Sequence, residues 1–447
     1  MFIPFDLFGA ADPGAAQAHL CRSGSPAYHH EQTGTWLLTG SLAEVREVLG
    51  DPRRYSNADV LAPICPVPNE LYPILAGLPT ERSVITLDPP AHSRRRKALE
   101  QLIPQHPEAA RTKWEALVAD RVNAVLDTVD TPQVDLKTVA ERIALEVLCE
   151  VAGLPLADQH DLREWTRDFA EFAWSDPAQP VQRDKAQRSV ALWTYCERAV
   201  EARIESGEPG PGLLGDLLRY RGDDGNPFPR QVVAVELLNL IGAGWTTTVD
   251  AICHTIARLL AEPEALARVA DDDYLARAVA EALRLDSPIA AWPRLALDNV
   301  SVGDAMIERG RTVLVGIAGA NRDAQVFGAH PDRFDPERPN VGRHVAFGFG
   351  PHRCIGKPLA LMVIKAAVLG IALKFPDLQL DPDGRREKVR SAVLNEPVEL
   401  LAFTSTSTST GTGTSTGTGT GTGTGCPVAH THPAPASFSG SPANGNG

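Results

Sequence analysis

Residues 231–260 are almost continuously apolar, interrupted by Glu236, Asn239, Asp250, His254 and Arg258. Read as one helix, the segment would extend about 45 Å, enough to cross a bilayer or a whole domain. Its centre, Gly242 to Thr248, reads G-A-G-W-T-T-T. Glycines and β-branched threonines are poor helix formers, so something other than propensity must keep them there. That centre, with Asp250, would be costly in lipid, and no flanking charge pattern supports insertion. No membrane span is therefore expected. The segment is read as the central helix of a large soluble core, which a hydrophobic content of 43% and a charged content of 22% permit.

The second constraint is Phe347 to Gly356, F-G-F-G-P-H-R-C-I-G, where one cysteine stands in a glycine-rich turn before an apolar helix. Gly348 and Gly350 permit backbone angles closed to other residues, and Gly356 lets a flat object approach closely. The helix expected from about Lys357, with Pro358 in its first turn, would direct free N–H groups at Cys354 and favour its thiolate, the form that binds a metal. A buried cysteine beside a turn is the plainer reading. The other cysteines, Cys21, Cys65, Cys149, Cys196, Cys253 and Cys426, form no CxxC pair, which argues against a disulfide framework or a zinc ribbon.

The spacing Phe-Gly-x-Gly-x-His-x-Cys-x-Gly resembles the haem-binding loop of the cytochrome P450 family. The resemblance implies that Cys354 is the axial ligand of haem b iron, a thiolate whose electron donation favours O–O cleavage. It also implies that His352 faces a haem propionate and that Phe347 packs beside the sulfur. Other motifs follow in the family's order. In the central helix, Ala243, Gly244 and Thr247 match the oxygen-binding groove, but Thr246 stands where the family usually has an acid. A hydroxyl can pass a proton without supplying the charge that organises a relay, so Thr246 and Thr247 are the catalytic candidates and Thr246 the departure. Asp250, one turn from Thr246, is read as structural.

His92 and Arg96 lie four residues apart at a helix start that Asp88 could cap, a spacing that clamps an anion or merely forms a solvated basic face. The resemblance assigns them, with Arg294, to haem propionates. Glu281 and Arg284, ordinarily an exposed pair, match the family's buried Glu-x-x-Arg brace, completed by a second arginine for which Arg333 is the candidate.

The fold expected is mainly α with a small β-rich lobe, the cytochrome P450 fold, in a single haem domain over residues 1–403. Gly34–Leu38 and Val300–Val315 supply strands, and Ser41 caps a helix. The proline-rich stretch from Tyr55 to Leu87 and the aromatic residues Phe169, Phe172 and Trp174 are candidates to face substrate, as are Ile289 and the turn Ala392 to Asn395. From Thr404 the chain becomes a low-complexity Thr/Ser/Gly tail without Lys, Arg, Asp or Glu, read as linker or disorder, in which Cys426, His430 and His432 are weak metal candidates.

A net charge of −13 disfavours nucleic acid as a partner. The resemblance implies a monooxygenase that inserts one oxygen atom from O2 into an apolar or amphipathic small molecule, possibly carrier-tethered. The sequence carries no nucleotide fingerprint and no iron–sulfur cysteine set, so electrons are expected from a ferredoxin or flavodoxin with its NAD(P)H-dependent reductase. Arg94, Arg95, Lys97, Arg353 and Lys357 are the candidate docking patch. With no basic head and long apolar stretch at the start of the chain, the cytoplasm is the expected location. The alternatives are a hydrogen-peroxide-driven peroxygenase, suggested by Thr246, and a non-catalytic haem-binding sensor.

Overall fold

In the computed structural model, segment 231–260 folds as two helices, Arg230–Gly244 and Thr246–Ala261, meeting at Trp245. The single helix expected from sequence is interrupted for a local reason. The hydroxyls of Thr247 and Thr248 donate to the carbonyls of Ala243 and Gly244, each at 2.8 Å, and this back-bonding bends helices. Trp245 anchors the break: it is 1% exposed, and its indole N–H donates to the Glu141 carbonyl at 3.2 Å. Among the described residues, 230–261 is the one stretch long and apolar enough to cross a membrane, and most of it is buried inside the protein.

The structure describes residues 6–24, 26–262, 264–384 and 387–404, all within the compact unit Met1–Ser405. Cys426, His430 and His432 lie outside the described residues. Against the broken helix pack Leu136–Ala152, Gln179–Glu205, Asp272–Leu285 and Lys357–Lys374, with Pro107–Asp127 lying against Leu136–Ala152 and Lys357–Lys374 in the same apolar core. Gly370 lets Lys357–Lys374 lie close against Pro107–Asp127, since a Cβ there would stand 2.8 Å from Leu126 Cδ1. The helix Lys357–Lys374 carries the loop of Cys354 at its N-terminal end.

The β-rich part is a five-stranded sheet in the order Ala27–His30, Thr35–Leu38, Thr312–Gly316, Ala291–Ala296, Tyr55–Ser56. Only the pairing of Thr35–Leu38 with Thr312–Gly316 is parallel. Val300–Val302 and Ala305–Ile307 form a hairpin about Gly303, whose φ of 56° is the left-handed value such a turn requires. Ser41 caps Leu42–Gly50 in a reciprocal capping box with Glu44, as its sequence predicts.

Asp88 does not cap the helix Ala91–Leu102. Its carboxylate instead accepts from the Asn57 backbone N–H at 3.0 Å and from the Ser56 hydroxyl, tying the helix start to the sheet edge.

The brace also differs in one member. Glu281 and Arg284 are fully buried, with Arg284 Nε and Nη2 donating to the two carboxylate oxygens at 2.7 and 2.8 Å. The second cation is Arg338, whose Nε donates to Glu281 Oε1 at 3.0 Å, and not Arg333, whose side chain is exposed. A turn closed by Arg338 N–H to the Asp335 carbonyl folds Arg338 inward, while Arg333 contributes only its carbonyl, 3.0 Å from Arg338 Nη2. Arg284 Nη1 reaches the Asn321 carbonyl at 2.7 Å, and Asn321 Oδ1 accepts from Val345 N–H at 2.8 Å. The buried charges are thereby wired to the start of the cysteine loop.

Candidate active site

The loop is held by its own backbone. Cys354 N–H donates to the Phe347 carbonyl at 2.8 Å, and Gly348 and Gly350 take φ values of 71° and 73°. Gly350 is required twice, because a Cβ there would also lie 2.8 Å from Gly50 Cα. The Cys354 sulfur opens onto an internal cavity of about 550 Å³, also lined by Phe347, Gly356, Ala243, Gly244, Thr246 and Thr247. Its surface is exposed to that cavity, deep within the protein. Burial pushes the thiol up; the backbone N–H groups of Gly356 and Lys357 and the charges of Arg96 and Lys357 pull it back toward thiolate.

At one edge of the cavity, His92 and His352 stand with ring centroids 4.0 Å apart. Both ring nitrogens of His92 and Nε2 of His352 are buried without a partner. Burial holds both imidazoles down, His352 to about 3, with neighbouring positive charges adding to the effect. Arg294 joins them: it is 3% exposed, makes no ion pair among the described residues, and donates only to the Pro293 carbonyl at 2.9 Å. Burial lowers it to about 9. Arg96 lines the same edge, donating to Glu100 at 2.7 Å and to the Arg353 carbonyl at 2.6 Å. An uncompensated buried guanidinium is costly, and a set of unpartnered donors converging on one cavity edge fits an anionic ligand.

On the cavity wall formed by the broken helix, Thr246 is 5% exposed and its hydroxyl makes no hydrogen bond among the described residues, while Thr247 Oγ1 is turned to the Ala243 carbonyl. The missing Cβ of Gly244 faces Leu148, 3.2 Å away. Asp250 is wholly buried, is not among the cavity's lining residues, and has neither carboxylate oxygen partnered. Burial pushes its carboxyl well up, reinforced by Glu396. Set off the cavity wall, Asp250 is not placed to supply the charge missing at Thr246.

The substrate-facing expectations divide. Residues 78–86 of the proline-rich stretch line the cavity, as do Phe169, Trp174 and Ile289. Phe172 packs instead with Leu71 and Ala186, and Ala392, Val393 and Leu394 stand off the cavity in the apolar cluster that holds Trp174 and Ile289. Sequence reasoning passed over Glu236 and Asn239, which line the cavity from the helix Arg230–Gly244. Their signal was present as polar interruptions of an apolar run.

The match to known proteins decides the family. The family model for cytochrome P450 matches residues 212–400. Cytochrome P450 monooxygenase PikC of Streptomyces venezuelae is 32% identical over 380 residues, covering 83% of this chain and 86% of that protein. The chain belongs to the cytochrome P450 family. The 6-deoxyerythronolide B hydroxylase of Saccharopolyspora erythraea is likewise 32% identical, over 82% of this chain and 90% of that one. Among solved structures, cytochrome P450 CREJ in complex with (4-ethylphenyl) dihydrogen phosphate superposes with a TM-score of 0.81 at 26% identity, covering 90% and 99% of the two chains. This P450 is a haem b monooxygenase, which sets aside the sensor reading. The unpartnered ring nitrogens of His92 and His352, with Arg294 beside them lacking an ion pair among the described residues, fit the two carboxylates of that cofactor.

Proposed function

We propose that Cys354 holds the haem iron as a thiolate, with His92, Arg96, Arg294 and His352 on the haem carboxylates and Phe347 and Gly356 flanking the sulfur. The observation that carries this reading is a cysteine facing a cavity whose edge gathers two buried histidines with unpartnered ring nitrogens and a buried arginine without an ion pair among the described residues. The bound cofactor supplies reductive activation of dioxygen and transfer of one oxygen atom to an organic substrate, the other leaving as water. The chain's own part is to stabilise, exclude and deliver. The N–H groups of Gly356 and Lys357 stabilise the sulfur's charge. Leu148, Phe169 and Trp292 make the cavity wall apolar. Thr247 Oγ1, released from the Ala243 carbonyl, offers a proton at the cavity wall, and Thr246 lines the same cavity.

Residues 1–403 are read as a single haem domain located in the cytoplasm, with 404–447 as an appended tail. Electrons are assigned to a ferredoxin or flavodoxin and its NAD(P)H-dependent reductase. The docking face is narrower than the sequence suggests. Arg94, Lys97 and Arg353 are exposed, Lys97 in a surface pair with Asp223 at 3.2 Å, but Arg95 turns inward to Glu236 at 2.7 Å. Reversing the charges of Arg94 and Arg353 should slow electron transfer and flatten its salt dependence; unchanged rates would remove that face from consideration.

The substrate class is an apolar or amphipathic small molecule. The experiment is turnover of a ligand selected by its shift of the ferric Soret band, supplied with reduced ferredoxin and isotope-labelled dioxygen. One labelled oxygen in the product is expected, and its absence would contradict the reading. Thr246, a hydroxyl at the usual acid position, favours a second reading in which hydrogen peroxide serves directly. Faster turnover with peroxide than with dioxygen and reduced ferredoxin would select it.

A further inference from the structure

Apart from the edge already described, the cavity's most unusual feature is a polar corner on the helix Arg230–Gly244. Glu236 and Asn239 are three residues apart, so they share the face that carries Leu240, Ala243 and, past the break, Thr247 along the cavity. Glu236 is 3% exposed. Its Oε1 accepts from Arg95 Nη1 at 2.7 Å and from the Val84 backbone N–H at 2.9 Å, whereas Oε2 is buried with no partner. Asn239 is half-buried, and its carboxamide makes no hydrogen bond among the described residues. An unpaired carboxylate oxygen and an idle amide in an otherwise apolar wall are expensive to keep unless something else pairs with them.

We infer that Glu236 and Asn239 form a specificity pair that receives a hydrogen-bond-donating group of the substrate, a hydroxyl or an N–H. Arg95 already balances the Glu236 charge, so the capacity left over is that of an acceptor and not of a net anion. This argues for a donor in place of a quaternary cation. Burial holds the Glu236 carboxyl up to about 7 against the pull of Arg95, so the acceptor role belongs to its ionised form, which a donating ligand stabilises. The rise of 1.5 Å per residue puts the pair ~6 to ~10 Å along the helix from Ala243. The group it anchors is thus remote from the carbon that is oxidised. The inference rests on the haem-thiolate reading.

The test uses the haem-loaded protein after its reduced carbon monoxide complex has shown thiolate ligation, so that a failed haem reading is separated from a failed specificity pair. Probes are straight-chain, monoterpene and steroid scaffolds, each carrying a hydroxyl, a methyl or a trimethylammonium at one position. Their binding is measured by calorimetry and by the Soret shift. The alcohols should bind about tenfold more tightly than the methyl analogues, the worth of one well-made hydrogen bond. In Asn239→Leu, which leaves no protein group unpaired, and in Glu236→Gln, which keeps size and one acceptor, that advantage should fall to less than about threefold. Rigid alcohols should be oxidised at a carbon distant from the hydroxyl. Methyl analogues or trimethylammonium compounds that bind as well as the alcohols would overturn the inference. So would an advantage unchanged in both variants, oxidation beside the hydroxyl, or no probe binding at all.

Discussion

Removing Arg338 would leave Glu281 buried with one cation in place of two and release the carbonyls of Phe327, His330 and Arg333 that Arg338 now holds. Arg338→Ala should therefore cost about 3–5 kcal/mol in equilibrium unfolding, whereas Arg333→Ala, on an exposed side chain, should stay within about 0.5 kcal/mol. The reverse order would restore Arg333 to the brace. His254 provides a pH signature. It is buried with Nε2 2.7 Å from the Asn395 carbonyl, and burial holds it down to about 4 from 6.5. The fold binds its neutral form, so this contribution is complete above the unfolded value and is lost as pH falls toward the folded one, to the extent of about 3 kcal/mol. Glu236, held up to about 7, runs in the opposite direction, so the informative quantity is the difference between wild type and His254→Gln. That difference should shrink or reverse on acidification from neutrality to pH ~4; a constant difference would show that His254 titrates normally.

At the scale of elements, the break at Trp245 sets the groove beside Thr246 and Thr247. Trp245→Ala should cost about 3–5 kcal/mol, as for other buried aromatic residues, and broaden the ligand-induced Soret changes. A loss below about 1 kcal/mol would mean that the threonine back-bonds alone hold the break. The break also marks where sequence reasoning stopped. Poor helix formers at Gly242–Thr248 announced a special site, but whether a helix bends there depends on which carbonyls the threonines reach and on Glu141, distant in sequence. Motifs whose residues are close in the chain were legible: the Phe347–Gly356 loop, the Glu281–Arg284 pair and the Ser41 cap. Contacts closed by tertiary turns were not. Arg338 and Arg333 are both arginines after a proline-containing turn, and only the turn at Asp335 selects between them. Glu236 and Asn239 looked like tolerated interruptions, because the face they occupy is fixed by packing.

For the whole molecule, the charge of −13 is carried by residues before 404, and the strand Leu401–Phe403 closes onto Gln133–Asp135 with Thr404 N–H donating to the Pro132 carbonyl at 2.8 Å. A chain ending at Thr404 should keep the thermal midpoint and haem content of the full protein; a lower midpoint would contradict the single-domain proposal. The central claim is that Cys354 faces the haem as a thiolate, and the absorption spectrum of the reduced, carbon monoxide-bound protein tests it most directly. The account predicts the strongly red-shifted Soret band of thiolate ligation in wild type and its loss in Cys354→Ser. A folded, haem-loaded wild-type protein without that shift, or a Cys354→Ser variant that retains it, would contradict the account.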